Sequence, residues 1–304
     1  MSKLFIILNH RNFIVILAVV SGMLFPEGAS WTEYLILPLI TLIMTLSIME
    51  IDGSVFRNVR SLIFPTFLGI LMNYAILGNL IILMSAFLIH DPSHWLGFLT
   101  LAAVPSAVGV MPFTRSLNGN TDYAMMGTVN AYIGALVIIP LITLGFLDIT
   151  SLDQTKLIIL AVVLIAIPVA FSRIIIWKRW HHAITPLKGR IINWSFFLII
   201  YTLVGLNWAT IMTQPFVLAP MAVIAFASTF LLGFMIQWIG VLLNTNKADL
   251  MLLLLFGTLK NYGLAGAIAL FLFGPESALP AVVFTIFMTI YVTWLEAKNK
   301  GLEP

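Results

Sequence analysis

The feature that most constrains this chain is the recurrence of apolar stretches, each near the roughly 20 residues that cross the hydrocarbon core of a bilayer. Ten can be drawn, over residues 12–25, 32–49, 62–89, 95–117, 122–147, 157–177, 191–212, 216–243, 250–273 and 278–295. With 61% hydrophobic residues and 9% charged, the chain carries more apolar surface than a soluble domain of 304 residues can hide. The expected class is an all-α, multi-pass membrane protein. Trp31, Trp95, Trp177, Trp180, Trp194 and Trp294 fall near segment ends, where indole rings favour the membrane–water interface. The run 13–25 has no small-residue cleavage site before Pro26 and reads as a retained first span.

Charge sets the orientation. With the N-terminus cytoplasmic, every Lys and Arg except Lys156 and Lys260 falls on the cytoplasmic side, while Glu27, Asp91, Asp148, Asp153 and Glu276 fall opposite. That satisfies the positive-inside rule for ten spans in the cell (inner) membrane with both termini cytoplasmic. The net charge of +3 is thus an orientation signal and not a nucleic-acid surface. Five spans on each side of the 148–153 loop divide the chain into halves, 1–147 and 148–304. An odd number of spans per half inverts the second against the first, the plan of many secondary transporters. The stretch 177–191, with His181 and His182, reads as a solvated loop joining the sixth and seventh spans.

The fourth span of each half is irregular. In the first half, Pro105, Gly109 and Pro112 remove or weaken backbone hydrogen bonds in mid-membrane. In the second, Gly257, Gly263 and Gly266 flank Thr258, Lys260, Asn261 and Tyr262. A lysine at bilayer depth is costly and marks a functional pathway, unless it snorkels to the interface. Interrupted spans around polar groups are the form in which transporters build substrate sites. Asn73, Asn130 and Asn261 serve either as interhelical glue or as site residues, and Thr128 either contacts ligand or bonds its own helix. No cysteine is present, so disulfides, thiolate metal sites and thiol redox chemistry are excluded. No phosphate-binding loop, paired acids, H-E-x-x-H or G-x-S-x-G occurs in the spans, which argues against an enzyme and against an ATP, metal or prosthetic-group requirement.

At these positions the chain resembles the bile acid:sodium symporter family. Asn261, Gly263, Leu264 and Ala265, followed by Phe273, Pro275, Ala278-Leu279-Pro280 and Phe284, are similar to the family's ninth-span motif and the start of its tenth span. Pro105, Gly119 and Thr128 fit its fourth- and fifth-span signature, and Asn73-Tyr74-Ala75-Ile76 stands where the third span carries a glutamine-led contact. The resemblance implies a core domain of spans three to five and eight to ten, a panel domain of the remaining four, and broken fourth and ninth spans that cross. The family's sodium ligands have no counterpart: its Ser-Asn pair falls on Val110 and Met111, a glutamate on Phe256, a glutamine on Lys260 and a fifth-span serine on Ala124. The expectation is therefore no sodium site, with the Lys260 ammonium as a tethered cation in its place.

Three roles are open to Lys260: counter-charge for an anionic substrate, carrier of a coupling proton, or a permanent structural cation in an uncoupled carrier. The function expected is alternating-access transport of a small organic anion. The rivals are an auxin-efflux-type carrier and a channel or sensor with a transporter-like body; arsenite-efflux relatives need a cysteine thiolate that is missing here.

Overall fold

The structure is a computed structural model and describes residues 11–49, 59–107, 109–121, 123–128, 134 and 154–300. The chain is helical almost throughout, with no strand among the described residues beyond one antiparallel bridge, Ser106 to Lys260. The first helices are α1 (Arg11–Leu24), α2 (Pro26–Ile48) and α3 (residues 59–88), followed by the short α4 (Pro92–Ala103) and α5 (Val110–Ser116). After the undescribed stretch come α6 (residues 154–177), α7 (His181–Leu206), α8 (Pro215–Leu242), α9 (Lys247–Thr258), α10 (Tyr262–Phe273) and α11 (Pro275–Lys300). Most of the expected fifth span, Asn130 included, lies outside the described residues, although 123–128 are helical.

Among the described residues, five helices are long and apolar enough to cross a membrane: Pro26–Ile48, Ile63–Leu88, His181–Leu206, Pro215–Leu242 and Pro275–Asn299. Their outward faces carry large apolar groups; Trp31 and Tyr34 are each 83% exposed and Phe216 is 88% exposed. Such a surface is at home against lipid and not against water. The most enclosed of the five is α11, with 67% of its apolar window buried.

Packing falls into two groups. Helix α7 lies along α1 and α2, and α6 lies along α2. Helices α4, α10 and α11 pack on one another, with α8 against α9 and α11, and α3 against α4 and α9. Contacts of α7 with α10 and α11, of α10 with α2 and α6, and of α11 with α1 join the groups. Close approach of α4 to α11 depends on Gly97, because a β-carbon there would collide with the Ser277 carbonyl.

Two expectations need correction. The stretch 177–191 is not a loop: Lys178–Trp180 form a tight turn and α7 begins at His181, so residues 181–190 are helical. Hydropathy reports where a helix enters the bilayer, not where it starts. Nor does Pro112 interrupt a helix; it sits in the first turn of α5, where a missing N–H costs nothing.

Candidate functional site

Helix α4 stops at Ala103 because Pro105 has no N–H to offer Leu101. Val104 turns extended (φ −71°, ψ 152°), and α5 resumes after Gly109. Ala102 O and Val104 O stand at the end of α4, where the last carbonyls of a helix have no intrahelical donor and are open to other partners. The second interruption is Leu259–Asn261. Leu259 is extended (φ −121°, ψ 126°), and the Asn261 side chain caps α10 by accepting from Leu264 N–H at 3.1 Å. The two breaks run side by side, with Asn261 N–H donating to Pro105 O at 2.9 Å.

Lys260 lies at this crossing, 0% exposed. Its Nζ donates to Ala102 O at 2.9 Å, Val104 O at 2.9 Å and Asn73 Oδ1 at 3.0 Å. An ammonium has three donors, so all are used. The Tyr74 ring centroid stands 4.7 Å from Nζ, offering its electron-rich face. Both carbonyls belong to the C-terminal end of α4, where the helix dipole is negative and favours a cation. Asn73 completes the arrangement by donating Nδ2 to Leu259 O at 3.3 Å and, at the limit of bonding, to Phe256 O at 3.5 Å. One amide thus joins the ammonium to the second break.

Asn73 and Tyr74 lie in a π-helical stretch of α3, Leu71–Gly78. Such wide turns are frequent at functional sites. Two more lie in α6, Val162–Ala166, and in α8, Ala227–Leu231.

The remaining sequence candidates have separate places. Thr258 bonds Leu254 O at 2.6 Å within α9. Phe256 is buried against Gly127, and Val110 is buried at the start of α5, whereas Met111 is half-buried. The Thr128 hydroxyl is buried with no partner among the described residues, as is that of Ser106 inside the first break. Gly257 and Gly263 are inside α9 and α10, in tight contact with Ile236 and Phe196 respectively, so they admit neighbours and the interruption itself is Leu259–Asn261. Pro105 and Gly109 bound the first break.

Ala102 and Val104 escape sequence reasoning because they act through main-chain oxygens, and Pro105 is the one trace they leave. Among the described residues, no group of three or more His, Asp or Glu side chains is placed to hold a metal. No protein-family model matches the chain, and no curated protein is significantly similar to it.

Proposed function

We propose that this membrane protein is a secondary transporter or facilitator of a small organic anion, working by alternating access without sodium, with Lys260 as its built-in cation. The observation that carries the reading is the ammonium held by three oxygens where two interrupted helices cross. Carbonyl and amide oxygens at helix breaks are the ligands with which transporters hold a coupling cation. In this conformation Lys260 has no donor left for a substrate, which favours the structural-cation role over direct substrate contact.

Internal likeness supports the inverted ten-span plan. Helices α4 and α9 are each 12 residues long. Each is capped by a side chain accepting from the N3 amide, Asp91 from His94 and Asn246 from Asp249. Each ends in an extended residue and follows a helix with a π-helical stretch. The separation of α1, α2, α6 and α7 from the remaining helices suits a panel moving against a core. On this reading the protein sits in the cell membrane with both termini cytoplasmic.

A thermal-shift screen of carboxylates with and without sodium identifies the substrate, and liposome uptake then tests the mechanism. Uptake in sodium-free buffer is expected for the native chain, with at least a tenfold loss in Lys260→Ala and Lys260→Gln, roughly the effect of 1.4 kcal/mol. Because Lys260→Ala leaves three oxygens without a donor, sodium or methylammonium should restore part of its activity. Full uptake by both variants removes Lys260 from the mechanism; a strict sodium requirement in the native chain sinks the tethered-cation reading.

A further inference from the structure

The turn between α6 and α7 has features that span-joining alone does not require. Helix α6 closes with Trp180 N–H donating to Ile175 O and Arg179 N–H to Ile176 O, both at 3.0 Å. This pair of bonds places the residue just past the helix in the left-handed region, which suits glycine and asparagine. Helices α5 and α8 end in the same way, with asparagines in that position: Asn118 (φ 58°) and Asn244 (φ 52°). At the end of α6 the residue is Arg179, at φ 60°. An arginine gains nothing from this backbone, and it is exposed, so packing does not hold it there. Departures from local preference concentrate at functional positions.

The surroundings identify what the guanidinium meets. Lys178 is exposed beside it, its Nζ 4.5 Å from the Trp177 ring centroid, and Arg173 is exposed earlier on the same helix. Trp177 and Trp180 are 75% and 58% exposed, so the indoles hold the turn at headgroup level. His181 and His182 open α7 with ring centroids 4.0 Å apart, and the N-terminal end of that helix adds positive potential. From Gln154 to Ala248 the chain has neither Asp nor Glu, so no carboxylate along it offsets these cations. Orientation by positive charge asks only that cations lie somewhere in the connection; it does not ask for one in a strained conformation between two exposed indoles.

We propose that this turn is a binding site for an anionic phospholipid headgroup. Arg179 and Lys178 take the phosphate, the guanidinium in the paired geometry that a planar fork allows, and Trp177 and Trp180 pack against the glycerol region.

The test uses the full chain in nanodiscs of phosphatidylcholine alone or with phosphatidylglycerol, read by thermal shift and by lipid retention in native mass spectrometry. Phosphatidylglycerol is expected to raise the unfolding temperature of the native protein above its value in phosphatidylcholine. Arg179→Gly separates a lost site from a damaged fold, because glycine is at ease in this backbone. Its unfolding temperature in phosphatidylcholine should equal or exceed that of the native chain, while its affinity for phosphatidylglycerol drops about fivefold, the worth of one cation at a membrane surface. Lys178→Gln should fall in the same direction. Free glycerol phosphate should give no shift; a shift equal to that of the lipid overturns the lipid assignment in favour of a soluble anion. Undiminished phosphatidylglycerol preference in Arg179→Gly overturns the proposal outright.

Discussion

Lys260 shows what a buried cation requires. Desolvating an ammonium is costly, and three oxygens with an aromatic face offset that cost only while the set is complete. Asn73 is the vulnerable member, because its side chain serves both the ammonium and the Leu259 carbonyl. Asn73→Ala and Lys260→Met should each destabilise the protein by about 2–4 kcal/mol, through polar groups left unpaired in the interior. The double variant should cost about 1–3 kcal/mol less than their sum, since each change already removes the other's partner. Unfolding measurements on the four proteins test this, and strict additivity would mean that the pair is not coupled. Lys260 and Asn73 were legible in the sequence as polar residues inside apolar runs. Their meeting depends on how α3 packs against α9, which a linear pattern does not encode.

At the scale of elements, the apolar segments coincide with helices among the described residues, but apolar length does not mark where a helix ends. Residues 181–190 form helix although Lys188, Gly189 and Arg190 carry no apolar signal, because α7 continues beyond the stretch that hydropathy can sense. Helix interruption was legible at Pro105 and less so at Leu259–Asn261, where no proline stands. Pro105 provides a test. Replacing a proline within a helical sequence ordinarily adds a hydrogen bond and stabilises. Here Pro105→Ala would let Leu101 O find a donor and draw α4 onward by a turn, taking Ala102 O and Val104 O away from the ammonium. The expected result is a loss of about 1–3 kcal/mol in the native background, the cost of unpaired buried donors. With Lys260→Met the same change should be neutral or stabilising. That reversal of sign, read from unfolding temperatures, is specific to a break maintained for the lysine; a stabilising Pro105→Ala in the native background contradicts it.

For the whole molecule, the question is whether the group of α1, α2, α6 and α7 moves against the remainder. At α7 the interface between them includes Phe196 against Gly263 and Leu203 against Gly266. These contacts are apolar and can slide without breaking directional bonds. By contrast, Asn12 Nδ2 donates to Thr293 Oγ1 at 2.6 Å and Asn207 Nδ2 to Pro275 O at 2.9 Å, and a shift of the boundary would have to break these bonds. Inside the first group, the Thr32 and Thr202 hydroxyls meet at 2.6 Å, and the Tyr201 hydroxyl donates to Phe25 O at 2.8 Å. Because the chain has no cysteine, an engineered pair is the sole disulfide it can form. Thr32→Cys with Thr202→Cys ties α2 to α7 within one group, and oxidation should leave uptake close to that of the reduced protein. Phe196→Cys with Gly263→Cys ties α7 to α10 across the boundary, the lost phenyl ring making room for the new β-carbon. Oxidation of that pair should abolish uptake, and reduction should restore it, if alternating access requires the boundary to shift. Uptake that persists with the second disulfide fully formed would assign the motion elsewhere, to the two interrupted helices themselves.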